Sequence, residues 1–389
     1  MTLRILAGRH LERLPEQTLL ESFDPTVRAF CHHLSEALLR HPEARQHPEL
    51  AALGFWLRDS HLLQLQLQFG DAPRGRSHRP VGLVMHFTPA NVDTMFVYSW
   101  ICSLLMGNTN LVRLSSEDSA VKSLLLQVLN TLFERSDHAE LAERNIFVSY
   151  PRDDEVASEL SLQADARVIW GGDDAVQAIR RLPCKPRCRD IPFADRYSAA
   201  LIDGDAITES DVESLADRLW RDIHPYQQMA CSSPRVVFWL GTDQYLEVLW
   251  GRLNRKAMDE QAEVIRRTEH LVLSQTLQAR GDSLGPSLEG VVSFIPVQTF
   301  STDLMALHPG QGICYLVPVT SLDDLGELDD RCQSLGYWGV RREDLEAWVN
   351  EAPGGPLDRI VPIGRALDFS PAWDGFELFG LLSRTTVIQ

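Results

Sequence analysis

Apolar residues recur every three or four positions through the first part of the chain. The repeat runs from Val27 to Leu38, and Asp24 and Pro25 ahead of it suit the cap and the first position of a helix. A second helical repeat covers Leu50–Leu62, while the glycine, proline and arginine of Asp71–Arg79 favour a loop. The pattern therefore predicts a helical N-terminal region that ends in a loop.

From about residue 80 onwards, short apolar runs alternate with helical segments. The runs typical of buried strands are Val81–Phe87, Leu111–Leu114, Ile146–Tyr150, Arg167–Trp170 and Ala199–Ile202. This repeated β-α order predicts an α/β fold with a largely parallel sheet covered by helices. Such sheets bind ligands at the carboxyl ends of their strands.

A second α/β segment follows residue 205. Its strand candidates are Val236–Leu240, Val291–Val297, Ile313–Val317 and Arg359–Ile363, and a terminal strand is predicted at Leu381–Ile388. We therefore expect one domain over residues 1–204 and another over 205–370, with a short C-terminal segment over 371–389.

Composition and charge limit the kinds of protein and of binding partner that fit this sequence. The 389 residues are 44% hydrophobic and 23% charged, which is typical of a globular chain with two domains. A net charge of −17 disfavours nucleic acid and anionic membranes as partners. The longest apolar run, Met95–Met106, is shorter than the roughly 20 residues of a membrane span, and the N-terminus lacks the pattern of a signal peptide.

The seven cysteines are odd in number and irregularly spaced, which favours a reducing, cytoplasmic location over a disulfide framework. Cys184 and Cys188 have no further ligands at matching spacing, so no metal site is predicted. Cys231 differs from the others because Ser232-Ser233-Pro234 follows it, in a segment between a helix and a strand. A thiol in such a loop suits a nucleophile, and a small buried cysteine is an equally good interpretation.

Other polar residues near strand ends each admit two interpretations. Asn91 follows a strand and opens a helix, so it suits a helix cap or an amide donor to an oxyanion. His224 precedes Cys231 and suits a base or a histidine on a helix surface. Gly171 and Gly172 join a strand to a helix, where glycine serves an ordinary turn or lets backbone approach a pyrophosphate.

Taken in order along the chain, several short segments resemble one family. They are Pro89-x-Asn91, Leu111–Ser116, Trp170-Gly171-Gly172, Phe193-x-x-x-x-Ser198, Gln228-x-x-Cys231-Ser232-Ser233-Pro234 and Asp358–Gly364. Their order is similar to that of the LuxC-type acyl-CoA reductases, a branch of the aldehyde dehydrogenase superfamily. The resemblance covers nearly the whole chain. It implies an aldehyde-dehydrogenase-like fold, with a Rossmann-like NAD(P)-binding domain in 1–204, a catalytic cysteine domain in 205–370, and a C-terminal strand for oligomerisation in 371–389.

The resemblance implies cofactor-binding roles for Arg113, Ser115, Ser116, Gly171 and Gly172. Arg113 falls near the adenosine ribose, and the two glycines fall beside the pyrophosphate. Ser115 and Ser116 also suit an ordinary helix N-terminus. Ser116 falls where NAD-preferring relatives often carry a glutamate. An uncharged residue beside Arg113 therefore favours NADPH, with NADH as the alternative cofactor.

The resemblance also implies catalytic roles. Cys231 matches the catalytic thiol, Asn91 matches the oxyanion amide, and His224 is a candidate proton carrier. Phe193 falls where hydrolytic relatives carry a general-base glutamate, so water attack on an acyl-cysteine should be slow. The implied reaction is NADPH-dependent reduction of an acyl thioester to an aldehyde through an acyl group on Cys231. An aldehyde dehydrogenase and a non-catalytic acyl-binding subunit are the alternatives.

The implied partners follow from that reaction. The acyl donor is an acyl-CoA or an acyl-carrier-protein thioester, and a carrier protein or an acyl-protein synthetase is a candidate protein partner. Further copies of the chain are expected in a homo-oligomer.

Overall fold

The computed structural model describes residues 3–70, 76–89, 92–151, 154–256, 264–351, 355 and 357–389. Asn91 lies outside these residues. The chain divides into two compact units, Met1–Ala194 with Ser370–Gln389, and Asp195–Phe369. Within the described ranges, no helix combines the length and the apolar character needed to cross a membrane.

The first unit combines N-terminal helices with a six-stranded main sheet and two smaller two-stranded sheets. Its strands up to residue 194 are β1 (Arg4–Ala7), β2 (Arg76–Pro80), β3 (Leu83–Phe87), β4 (Thr109–Arg113), β5 (Asn145–Ser149), β6 (Ala166–Trp170) and β7 (Arg189–Phe193). Its helices there are α1 (Pro25–Arg40), α2 (Pro48–Trp56), α3 (Asp59–Phe69), α4 (Met95–Leu105), α5 (Ala120–Phe133), α6 (Ala139–Arg144), α7 (Asp154–Ser161) and α8 (Asp173–Arg180). Helix α1 begins as predicted, because Asp24 accepts the Thr26 N–H at 2.7 Å and Pro25 follows as the first helical residue.

The main sheet of this unit has the strand order β1-β5-β4-β3-β6-β7. All neighbours are parallel except β1, which pairs antiparallel with β5 at the edge. The chain proceeds from β3 through β4 to β5 on one side, and then returns to place β6 and β7 on the other. This reversal is the doubly wound pattern, whose ligand crevice lies at the carboxyl ends of the central strands.

The second unit contains another parallel sheet. Its strands are β8 (Tyr197–Asp203), β9 (Pro234–Leu240), β10 (Ser293–Pro296), β11 (Ile313–Val319), β12 (Cys332–Trp338) and β13 (Arg359–Pro362). Its helices are α9 (Val212–Ile223), α10 (Leu246–Lys256), α11 (Val264–Arg280), α12 (Thr302–Met305) and α13 (Arg342–Glu351). The strand order is β10-β11-β9-β8-β12-β13, and apolar clusters cover both faces, one around Phe238 and Tyr315 and the other around Leu219 and Trp239.

The C-terminal segment belongs to the first unit. It contains β14 (Ala372–Trp373), β15 (Phe376–Glu377), α14 (Leu378–Leu381) and β16 (Ser383–Val387). The predicted terminal strand is thus present as β16, and it pairs antiparallel with β2.

Several elements differ from the sequence prediction. Strands β1, β7 and β12 were not predicted, and β2 lies partly in the stretch predicted as a loop. The predicted strand Ala199–Ile202 is β8, but it pairs with β9 and β12 of the second sheet. The second unit therefore begins at Asp195, earlier than the boundary after residue 204, and the segment from Ser370 groups with the first unit.

The buried carboxyl group of Asp222, in α9, should make the stability of the folded protein depend on pH. It is buried, and its carboxylate accepts the backbone N–H groups of Gly364 at 2.6 Å and Ala366 at 3.0 Å. Desolvation nonetheless raises the pKa of Asp222 from 3.8 to about 6. The folded state then binds more protons than the unfolded state between about pH 4 and 6, so this contribution falls as pH rises through that window, by up to about 3 kcal/mol.

Comparison with Asp222→Asn isolates this effect. We expect the variant to be less stable at pH 4.5, because one acceptor oxygen is lost, and the difference from wild type to shrink towards pH 7.5. Urea unfolding of both proteins across this pH range measures it. A difference that stays constant with pH would show that Asp222 does not titrate in the window.

Candidate functional site

Cys231 lies in a loop at the amino-terminal edge of the second unit's sheet. Helix α9 ends at Ile223, a tight turn covers Pro225–Gln228, and β9 begins at Pro234. The Cys231 side chain is half-buried and is a thiol, not half of a disulfide. This edge is opposite to the one at which parallel sheets usually bind ligands, so the general rule does not locate Cys231.

The backbone just before Cys231 is strained. Tyr226, Gln227 and Gln228 are consecutive residues with φ of 55°, 52° and 63°, in the left-handed region. Each such non-glycine residue costs about 1–2 kcal/mol relative to ordinary backbone. Contacts with the surrounding structure must offset that cost.

The side chain of Gln228 supplies the most direct of these contacts. Its buried Nε2 donates to the carbonyl oxygens of Pro234 at 2.7 Å and Ile313 at 2.6 Å, and its Oε1 accepts the Gly312 N–H at 2.9 Å. One amide thus connects the turn before Cys231 to the starts of β9 and β11. Gln228 belongs to the Gln228-x-x-Cys231 motif of the sequence, but the sequence alone assigned it no role.

A second left-handed segment, Gly310–Gly312, lies against the first. Its residues have φ of 77°, 61° and 84°, and the Gln311 N–H donates to the Gln227 carbonyl at 3.0 Å. A Cβ on Gly310 would lie 2.9 Å from Met229 Sδ, so a small residue is needed there for close approach. The two left-handed segments therefore support each other.

Two serines hold the Cys231 loop from the other side. Ser198 Oγ donates to the Cys231 carbonyl at 2.7 Å, and it lies 2.8 Å from Ser334 Oγ. Both serines are buried, at the starts of β8 and β12. The register of β8 against β9 shifts between Ser198 and Ala199, which places Ser198 beside the loop. The loop is therefore fixed by side chains on both sides of the thiol.

His224 lies directly after α9, and its ring stacks on Trp220 with centroids 4.2 Å apart. The half-buried ring is thereby oriented. Its role as a proton carrier stays a prediction, as does the role of Asn91.

The residues predicted to bind the cofactor lie in the first unit, after the carboxyl ends of β4 and β6. Arg113 ends β4, and its guanidinium lies 5.3 Å from the centroid of the Tyr150 ring. Ser115 is half-buried and its Oγ accepts the Glu117 N–H at 3.2 Å, while Ser116 is exposed. These side chains and Gly171-Gly172 thus lie at the same carboxyl-terminal edge of the sheet, on the two strands that flank β3, where a doubly wound sheet binds ligands.

Lys122 is a further cation at the end of β4 that was missed in the sequence. It lies in α5 and is buried, and its Nζ donates to the Ser115 carbonyl at 3.1 Å. Its signal in the sequence is a lysine on the apolar stripe of a helix, three positions before Leu125. Its ammonium group also pairs with the exposed carboxylate of Asp118 at 3.8 Å, and it adds a second cation where Arg113 already lies.

The turn Gly171-Gly172 is open, since a Cβ on Gly172 would meet nothing within 4 Å. Gly172 caps α8, but Asp173 and Asp174 occupy the first helical turn. These carboxylates already complement the helix dipole and oppose a phosphate placed directly at that helix end. The positive charge at this edge lies instead after β4.

Phe193 ends β7 within an aromatic stack. Its ring lies 3.8 Å from that of Trp170 at an interplanar angle of 11°, and Phe376 packs edge-on at 5.8 Å. The side chain is buried and has no group that can accept a proton. The position matched to a general base therefore holds an apolar packing residue.

Comparison with known protein families identifies a match over just over half of the chain. A family model described as Acyl-CoA reductase (LuxC) matches residues 68–283. The chain is also similar to long-chain acyl-protein thioester reductases. It is 30% identical to that of Vibrio harveyi over 196 residues, which are 49% of this chain and 39% of the relative. It is 26% identical to that of Aliivibrio fischeri over 193 residues, which are 48% and 38% respectively. The chain spans about two-fifths of the length of these curated relatives.

Solved structures with the same fold include aldehyde dehydrogenases. The NAD-dependent aldehyde dehydrogenase from Sinorhizobium meliloti has a TM-score of 0.67 at 13% identity, covering 97% of this chain and 83% of that one. The NAD-dependent benzaldehyde dehydrogenase from Corynebacterium glutamicum has a TM-score of 0.64 at 10% identity, covering 94% and 85%. The aldehyde-dehydrogenase-like fold implied by the motifs is confirmed.

Proposed function

Because the chain belongs to the acyl-CoA reductase (LuxC) family, we propose that it reduces an acyl thioester to an aldehyde, using NADPH and a covalent acyl group on Cys231. The observation that carries the proposal is the anchored loop around this half-buried thiol, with three left-handed residues before it and hydrogen bonds from Gln228 and Ser198 on either side. Strained, overdetermined backbone of this kind is characteristic of functional sites.

In the proposed first step, the Cys231 thiolate attacks the thioester carbonyl. A C–S bond to Cys231 forms, the bond to the donor thiol breaks, and that thiol leaves with a proton that His224 supplies. The Cys231 N–H and the Asn91 amide stabilise the oxyanion, and loss of one such donor typically lowers the rate by about 10²–10³-fold. The Ser198 hydrogen bond keeps the peptide at Cys231 in a fixed orientation for this step.

The bound nicotinamide cofactor would supply the hydride that reduces the acyl carbon. The resulting thiohemiacetal on Cys231 then breaks its C–S bond, which releases aldehyde and regenerates the thiol. Phe193 supports this outcome, because it offers no base to activate water against the acyl-cysteine. A general base at that position would favour release of acid, as in an aldehyde dehydrogenase.

The residues after β4 fit an anionic dinucleotide. Arg113 and Lys122 supply positive charge there, and Ser116 offers a hydroxyl without a negative charge. A 2′-phosphate on the adenosine ribose is an added anion, which this environment favours over a bare hydroxyl. With Asp173 and Asp174 at the start of α8, we place the cofactor's negative charge nearer β4 than the Gly171-Gly172 turn.

The donor is an acyl-CoA or an acyl group on a protein. The similar bacterial proteins are named for long-chain acyl-protein thioesters, which favours a long acyl chain and a protein donor, such as a carrier protein or an acyl-protein synthetase. The seven thiols suit a reducing cytoplasm. We also propose that copies of the chain assemble into a homo-oligomer through β16.

Intact-protein mass spectrometry tests the central step. Wild type and Cys231→Ala are incubated with a series of acyl-CoAs of increasing chain length, and with acyl-carrier protein, in the absence of NADPH. We expect an acyl adduct on the wild type alone, and its loss with formation of aldehyde after NADPH is added. An adduct that discharges to free acid would favour an aldehyde dehydrogenase, and an adduct that NADPH never discharges would favour an acyl-binding subunit. An equal adduct on Cys231→Ala would exclude Cys231 as the nucleophile.

Arg113→Ala tests the choice of cofactor. We expect the KM for NADPH to rise about tenfold and the KM for NADH to change less than threefold or so, because a charge-assisted hydrogen bond to the 2′-phosphate is lost. Steady-state kinetics with each cofactor measures both values, and Arg40→Ala, an exposed residue of α1, serves as the control. An equal rise for both cofactors would mean that Arg113 does not distinguish them.

A further inference from the structure

We propose that His33, Asp137 and His138 form a binding site for a divalent transition-metal ion, with Zn²⁺ as the best match. His33 lies on α1, and the other two residues end the 3-10 turn Ser136–His138 that follows α5. His33 Nδ1 is 2.8 Å from His138 Nε2, and a ligand atom from each of the three residues lies within 4.8 Å of the others. None of these residues takes part in the proposed reductase function, so the two proposals are independent.

The donor set selects the class of metal. Two imidazole nitrogens and a carboxylate oxygen suit Zn²⁺ and its neighbours rather than Mg²⁺ or Ca²⁺, which prefer all-oxygen ligands. Zinc–nitrogen bonds of about 2.0–2.1 Å in tetrahedral geometry separate two nitrogens by about 3.3 Å, so the rings need to move apart by only about half an ångström. Asp137 is exposed, which leaves a fourth position open to water.

Asp137 is held in place by Arg135, whose guanidinium hydrogen-bonds both carboxylate oxygens, at 3.0 and 2.6 Å. The His138 side chain is buried beside it. Hydrogen-bonded carboxylates are typical of metal sites, because the second partner orients the ligand.

The surrounding structure orients the His138 ring before any metal arrives. The Phe30 ring packs edge-on against it with centroids 5.2 Å apart. Without metal, one ring donates its N–H to the other across the 2.8 Å contact. A metal ion between the two nitrogens would take the place of that hydrogen bond. A bound ion would thereby join α1 to the turn after α5.

Calorimetric titration of the full chain with ZnCl₂ tests the site. Wild type is compared with His33→Gln and Asp137→Asn, and His32→Gln is the matched control, because His32 is the exposed neighbour of His33. Zinc that binds to cysteine thiols elsewhere in the chain would give the same calorimetric signal in all four proteins.

We expect wild type and His32→Gln to bind one zinc ion and to gain thermal stability from it. His33→Gln should lose this ion, and Asp137→Asn should bind it about tenfold more weakly, since one charged ligand becomes neutral. The proposal is overturned if wild type shows no such ion, or if His33→Gln binds it as tightly as His32→Gln does. If His33→Gln fails to fold, the exposed Asp137→Asn decides, and an unchanged affinity there would count against the site.

Discussion

Replacing Cys231 by serine is expected to lower the kcat of thioester reduction by at least about 10³-fold, because a neutral hydroxyl is a far weaker nucleophile than a thiolate. The substitution changes one atom in a half-buried side chain whose carbonyl, not its thiol, carries the Ser198 hydrogen bond. The thermal unfolding midpoint should therefore move little. Aldehyde formation with saturating acyl donor and NADPH measures the rate.

Cys184→Ser provides the matched control, since Cys184 is the exposed thiol of the chain. We expect full activity in this variant. Iodoacetamide should inactivate wild type and Cys184→Ser at the same rate. The buried thiols should not react, because burial raises the pKa of Cys31 and Cys314 to about 12. Retention of more than a tenth of the activity by Cys231→Ser would rule out acyl transfer through this residue.

The hydrophobic pattern predicted the elements whose own amino-acid sequences indicate that they are buried. Strand β3 is entirely buried and entirely apolar except for His86, and α5 carries its apolar stripe in sequence. Strands β7 and β12 were missed because each interrupts its apolar residues, β7 with Arg189, Asp190 and a proline, and β12 with Gln333 and a glycine. Their place in a sheet comes from pairing with β6 and β8, which a short window of sequence does not contain.

The candidate site was likewise predicted only in part from the sequence. Cys231 and Arg113 have side chains whose chemistry is visible in the sequence, so they were found there. The support for Cys231 was not, because it depends on left-handed backbone at non-glycine residues and on Gln228 meeting Gly312, 84 positions away. Nothing in the local pattern of Tyr226–Gln228 predicts that conformation, which is imposed by tertiary contacts.

Gln228→Leu is the sharpest test of that support. Leucine keeps most of the volume but leaves the carbonyls of Pro234 and Ile313 and the N–H of Gly312 buried without the amide. Each lost partner costs about 1–3 kcal/mol, so we expect the free energy of unfolding to fall by at least about 3 kcal/mol. Without the amide, the left-handed turn should relax and displace Cys231, and a displacement of about 1 Å lowers kcat by as much as 10²-fold.

Gln227→Leu is the control for this substitution. Gln227 has the same left-handed backbone, but its side chain is exposed and contacts Gln311 Nε2 at only 3.4 Å. It should keep nearly full stability and activity. Urea unfolding reports the stability of each variant, and the single-turnover rate of acyl transfer to Cys231 reports the position of the thiol. If Gln228→Leu loses stability yet acylates at the wild-type rate, the buried amide holds the fold together without positioning Cys231, and the strain before the thiol has no part in its reactivity.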